Sequence, residues 1–245
     1  MRFTATAIVV AIRPHGEVGG VVRLMTAEHG LQAAYVRGAR GRRLRPVLLA
    51  GNVVEASLAA RTEAQLAQAT VELVHSRAPL LSEPLPAAAI DWACALVATA
   101  LPEGQPYSRL YEAMDGLLGA VEAAPAASGW AAALVRFELL VLAELGFGLD
   151  LERCAVSGVR EDLVAVSPRS GRAVSGAEAE PYSGKLLPLP RFIKEGGRAG
   201  WGDILDGLVL SGHFLMRDLI TDRATPVAAA RERLMERLRR AAGQA

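Results

Sequence analysis

YVRGARGRRLRPVLLAG, residues 35–51, holds Arg37, Arg40, Arg42, Arg43 and Arg45 with no acidic residue among them. Gly38 and Gly41 interrupt the run and Pro46 closes it. Glycine and proline at this density break regular structure. The sequence on either side is apolar and strand-like, so the stretch reads as a flexible cationic loop between two β-strands. Upstream, TATAIVVAIR (4–13), VGGVVRLMT (18–26) and residues 31–36 have β-rich composition and are separated by the turns Pro14-His15-Gly16 and AEHG (27–30). Downstream, NVVEASLAA (52–60) and LAQATVELV (66–74) alternate apolar and polar residues as half-buried strands do. Five short strands with the longest connection after the third fit a five-stranded Greek-key barrel of the OB type. An SH3-like barrel fits the same pattern almost as well.

From Leu85 the period changes. Residues 86–100 read as a helix with Pro86 in its first turn. PEGQP (102–106) is a linker. Residues 107–121 place Leu110, Tyr111, Met114, Leu117, Leu118 and Val121 on one helix face. Residues 130–145 are apolar nearly all round and predict the buried centre of a bundle, stopped at Gly146. VAVSPRSGRAVS (164–175) predicts a hairpin or finger within an irregular region. Residues 201–220 return to a helical pattern, and Thr225-Pro226 opens a last basic helix. The expectation is a multidomain α+β chain: an OB-type barrel over 1–80, then a helical domain over 81–245 with a finger-like insertion at about 152–180.

Net charge is +1, but it is unevenly placed: residues 1–80 carry ten arginines against five glutamates, and the remainder is net acidic. A basic front joined to an acidic back suggests that the front meets a polyanion. Every Lys or Arg except Lys185 and Lys194 is Arg, so the Arg richness is mainly compositional bias and Arg counts alone carry little argument. The two cysteines, Cys94 and Cys154, form no CxxC pair, which fits a reducing compartment. No signal-peptide pattern opens the sequence, and its longest apolar run, 85–101, is broken by Pro86 and Asp91.

No catalytic constellation emerges. His15, His29, His75 and His213 form no HxxxH pair, and Walker A, GxSxG and strand-borne GxGxxG motifs are missing. Asp203 and Asp206 suit a helix start better than a metal. The expectation is a protein that is not an enzyme, with no catalytic residues and no cofactor. Glycine-spaced arginines, by contrast, offer what phosphates need: charged, bidentate donors on an adjustable backbone. Phe3 and Tyr35 are the only aromatic residues of the barrel stretch, so base stacking is expected to be minor. A solvated basic loop, a module for structured RNA and a purely structural adaptor are the competing readings.

Several segments together resemble the RecO family of bacterial DNA repair proteins. They are HGEVGGVVRLMTAEHG (15–30), VRGARGRRLRPVLLAG (36–51), LPEGQPYSRLYEAMDGLL (101–118), VRFELLVLAELGFGLDLERCAVSG (135–158) and VSPRSGRAVS (166–175), in the family's order across most of the chain. The resemblance implies an OB fold and a recombination mediator that binds single- and double-stranded DNA and anneals complementary strands. It also implies help in loading RecA onto DNA coated with single-stranded DNA-binding protein. The partners implied are RecR, the C-terminal tail of the single-stranded DNA-binding protein and, indirectly, RecA, with no membrane. The implied location is cytoplasmic and nucleoid-associated. For the tail's receptor, Arg136 and Arg217 are candidates, although a structural role in the bundle suits each better. Some members of the family carry a four-cysteine zinc site in the finger. Here Cys154 stands at its first position, Ser157 at the second, and Val174 and Ala177 near the second pair, so no zinc is expected. Arg169 and Arg172 on the finger are further candidates for DNA contact.

Overall fold

The computed structural model describes residues 2–62, 65–124, 126–222 and 225–243. It divides into two units, one running to Glu122 and including Ala230–Leu234, the other holding the rest.

The first unit begins with β1 (Arg2–His15), β2 (Gly19–Thr26) and β3 (Gly30–Val36), followed by β4 (Val53–Ala59) and β5 (Ala67–His75). These close into a barrel in the order β1-β2-β3-β5-β4. β1 is long enough to pair with two neighbours. Arg2–Ile8 lie against β4, and Ala7–His15 lie against β2, with a register shift between Val9 and Ala11 in the β2 pairing. Such a bulge bends a strand from one neighbour to the next. Closure comes from a short parallel contact, Ala34↔Ala67 and Tyr35↔Gln68. A five-stranded closed barrel of this order is the OB-type arrangement, which resolves the choice that strand count left open. Alternation does the sorting: Val54, Ala56 and Leu58 of β4 and Ala67, Ala69 and Val71 of β5 turn inward, while Glu55, Ser57 and Gln68 turn out.

A 3-10 turn (Ala78–Ser82) leads from the barrel into α1 (Pro84–Ala100), and α2 (Ser108–Ala123) follows. The linker between these helices is pinned to the barrel. Leu31 bridges to Glu103, and the Gly104 amide donates to the Leu31 carbonyl at 2.9 Å. Gly30 makes this approach possible. Its φ is +65°, and a Cβ there would lie 1.9 Å from the Gln105 carbonyl oxygen. Arg23 donates to the Ala98 carbonyl and pairs with Glu103 at 3.0 Å.

In the second unit α3 (Ser128–Glu144) packs against α6 (Trp201–Phe214). α3 is buried along much of its length, as its all-round apolar sequence implies, and its buried Glu138 accepts a hydrogen bond from Ser211. α6 runs on into a π-helical turn (Leu215–Leu219). The last helix, α7 (Pro226–Gly243), is capped by Thr225, whose hydroxyl accepts from the Ala228 amide at 3.4 Å. The predicted finger exists as a small sheet. β6 (Leu163–Val166) pairs with β7 (Ala173–Ser175) and with β8 (Leu187–Pro188), in the order β7-β6-β8. The short helices α4 (Gly176–Ala179) and α5 (Arg191–Glu195) flank it. No helix among the described residues is long and apolar enough to cross a membrane.

Candidate nucleic-acid interface

The arginine stretch between β3 and β4 is a chain of turns. The Gly41 amide donates to the Gly38 carbonyl (2.8 Å), Arg45 to Gly41 (3.0 Å), and Val47 and Leu48 both to Leu44 (3.0 Å). Its aliphatic residues turn inward. Ala39 and Leu48 are buried in the barrel core, and Leu44 and Val47 pack on its rim. Asn52 fastens the far end. It is fully buried, its Nδ2 donates to the carbonyls of Pro46 (2.9 Å) and Val47 (3.1 Å), and its Oδ1 accepts from the Arg77 amide (2.9 Å). At the near end, the Arg40 amide donates to the Val18 carbonyl and its Nη1 to the Glu17 carbonyl, both at 3.2 Å, so the loop leans on the tip of the β1–β2 hairpin. Turns and Asn52 thus meet several of the loop's backbone polar groups.

The consequence is a sorted surface. Arg37, Arg40, Arg42, Arg43 and Arg45 are all exposed. Among the described residues, none of the five has a carboxylate partner. Other arginines of this unit behave differently: Arg23 pairs with Glu103, Arg77 with Asp115 (3.3 Å) and Glu122 (3.5 Å), and Arg233 with Asp91 (2.9 Å). Arg13, which the sequence did not single out, is exposed on the arm of the hairpin that holds Arg40. Only the pairing of β1 with β2 brings it to this end of the barrel.

The two aromatic residues of the barrel part company. Phe3 pairs with Leu58 and turns with it toward the interior, stacked on His29 with ring centroids 3.8 Å apart. Tyr35 turns outward, edge-on to His15 at 5.8 Å.

Arg136 and Arg217 are both engaged within the second unit. Arg136 Nη2 donates to the carbonyls of Phe192 and Gly197 at 3.4 Å, and its guanidinium lies 5.3 Å from the Phe192 ring centre. Arg217 pairs with Asp218 and donates to the carbonyls of Pro168 (2.7 Å) and Arg169 (3.1 Å). In the finger, Cys154 is buried with Ala165 and Val174, and its sulfur accepts from the amide and hydroxyl of Ser175, both at 3.4 Å. Burial pushes this thiol up, but hydrogen bonds from Ser157 and Ser175 outweigh it and bring the pKa down to about 6. Val174 sits in the finger's apolar cluster, where it offers no ligand atom. Among the described residues no group of three or more His, Cys, Asp or Glu side chains could hold a metal ion. Arg172 pairs with Asp150 at 3.4 Å, while Arg169 is exposed.

Two family profiles match the chain. The one described as "Recombination protein O N terminal" covers residues 1–77, and "Recombination protein O C terminal" covers residues 82–217. The chain is similar along nearly its whole length to proteins named DNA repair protein RecO. It is 43% identical to that of Rhodospirillum centenum over 244 residues, 98% of this chain and 96% of the relative. It is 43% identical to that of Phenylobacterium zucineum over 241 residues, 97% and 98% of the two chains. It is 45% identical to that of Rhodospirillum rubrum over 240 residues, 95% and 94%.

Proposed function

Because the chain belongs to the RecO family of DNA repair proteins, we propose that it is a non-enzymatic recombination mediator whose DNA contact is the arginine loop of the barrel. The observation that carries this reading is the set of five exposed arginines without carboxylate partners among the described residues, on a loop that buries Ala39 and Leu48 in the barrel core. Unpaired guanidinium groups lose no internal ion pair when they meet phosphate. Turns that are already formed leave less backbone freedom to lose on binding. Arg37, Arg40, Arg42, Arg43 and Arg45 neutralise phosphates without reading bases, so one strand is held while another pairs with it. The same property serves single- and double-stranded DNA, and annealing of complementary strands follows from it. The product is DNA on which RecA replaces the single-stranded DNA-binding protein.

On this reading residues 1–80 hold the DNA and the helical part, 81–245, receives the proteins: RecR and the C-terminal tail of the single-stranded DNA-binding protein. The acidic balance of that part disfavours a second broad DNA surface. The protein acts in the cytoplasm at the nucleoid.

The test is anisotropy of labelled single-stranded DNA across a salt series. Five phosphate contacts on a single strand give a slope of log K against log salt on the order of −3.5. Replacing Arg42, Arg43 and Arg45 with Ala removes three of them and flattens the slope by about 2. An unchanged slope removes the loop from the mechanism. Transfer RNA that competes more strongly than single-stranded DNA would favour an RNA-binding module instead.

A further inference from the structure

Next to the arginine loop, a groove of about 520 Å³ crosses the outer face of the barrel, where the end of β3 meets the starts of β5 and β1 and the end of β4. Strand register explains its lining. Tyr35 sits opposite Gln68, Gln68 opposite Ala59, and Ala59 opposite Arg2. This makes one continuous row across four strands, about 14 Å long at the usual strand spacing. A parallel row, Thr70, Ser57 and Thr4, lies beside it, with Thr4 and Ser57 hydrogen-bonded at 2.8 Å. Arg2 closes one end of the groove, and Arg37, two residues beyond Tyr35, closes the other. Among the described residues, no Asp or Glu lines it.

Tyr35 forms one wall. Its ring lies over Gly19, where a Cβ would be 2.3 Å from the tyrosine oxygen, so only glycine leaves the ring room to settle against β2. The floor offers hydroxyl and amide donors, both ends offer guanidinium groups, and one wall offers an aromatic ring. That set matches a sugar–phosphate backbone with one base turned toward the protein. The volume lies within the range of pockets that take small molecules, with room for a base and its sugar but not for a duplex.

We infer that the row from Arg2 to Tyr35 is a track for an unpaired nucleic-acid strand, continuous with the arginine loop through Arg37, with Tyr35 stacking on one base. The inference rests on the reading of the loop as the DNA contact. It adds a contact to bases where that reading has only phosphates, and therefore a preference for unpaired strands.

The experiment compares three labelled probes of equal length: oligo-dT, an oligonucleotide with an abasic tract, and a duplex. The proteins are the full chain and its Tyr35→Leu, Tyr35→Phe and Arg2→Ala variants, each checked for unchanged circular dichroism and melting. The full chain should bind oligo-dT about tenfold more tightly than the abasic strand, the scale of one base–aromatic contact. Tyr35→Leu should erase that difference without weakening the abasic strand or the duplex, and Tyr35→Phe should keep it. Arg2→Ala, at an exposed position, should flatten the salt slope for oligo-dT by about 0.7. Equal binding of oligo-dT and the abasic strand by the full chain overturns the track and leaves the loop reading standing. A Tyr35→Leu variant that still prefers oligo-dT does the same, and so does an Arg2→Ala slope identical to that of the full chain. No salt-sensitive binding of any probe overturns both.

Discussion

Arg77 shows how one side chain serves the barrel and a helix at once. It is buried, donates to the Gly51 carbonyl at 2.8 Å, and reaches Asp115 and Glu122 on α2. Both acids are partly exposed, so their loss of a partner is softened by water. The Gly51 carbonyl has no such relief. Arg77→Met should therefore destabilise by about 1–3 kcal/mol, the cost of an unmet buried acceptor, in urea unfolding followed by fluorescence. The two cysteines give the residue scale a pH signature. Burial first, then the charge of Asp91, pushes the Cys94 thiol up to about 12 from the ordinary 9.0, while Cys154 is brought down to about 6. A depressed folded pKa means the folded state holds fewer protons than the unfolded one between about 6 and 9, so stability rises with pH there. For Cys94 the folded state holds more protons above 9.0, so stability falls from there toward 12. Urea midpoints measured from pH 6 to 9 should climb less in Cys154→Ser than in the unmodified chain. Equal climbs would mean that the Ser157 and Ser175 hydrogen bonds do not stabilise the thiolate.

At the scale of elements, the β2–β3 turn does more than join two strands. Thr26 and Gly30 shape it, with the Thr26 hydroxyl donating to the Gly30 carbonyl at 3.0 Å, and its close approach to Gln105 docks the α1–α2 linker. Gly30→Ala places a methyl group against backbone and adds the strain of a positive φ. The combined cost should be at least about 1–2 kcal/mol. A thermal melt reads it directly, and a melting temperature equal to that of the unmodified chain would show that the linker does not dock there. The arginine loop carries the complementary lesson. Its glycines and proline announced a loop, and its arginines announced charge. Alternation of strand residues is legible in sequence because it repeats every two positions. The inward turn of Ala39 and Leu48 follows no period, and it depends on the core space that the five strands leave open.

For the whole molecule, charge is divided as the sequence states it: a basic barrel stretch and an acidic remainder. If phosphate contact is confined to the barrel, Arg169→Ala with Arg172→Ala should leave the salt slope for single-stranded DNA unchanged, while the triple change of Arg42, Arg43 and Arg45 flattens it. A shallower slope from the finger pair would extend the DNA surface onto the finger. Sequence by itself determined the five strands, the helices and the cationic loop, because each depends on residue type and on neighbours near in the chain. The closed order β1-β2-β3-β5-β4 needed the three-dimensional fold, since the parallel contact of β3 with β5 joins residues far apart in sequence. So did the separation of Phe3, which packs against the barrel core, from Tyr35, which lies edge-on to His15. Strand register sets those faces, and it also aligns Arg2, Ala59, Gln68 and Tyr35 in one row, which no local pattern could announce.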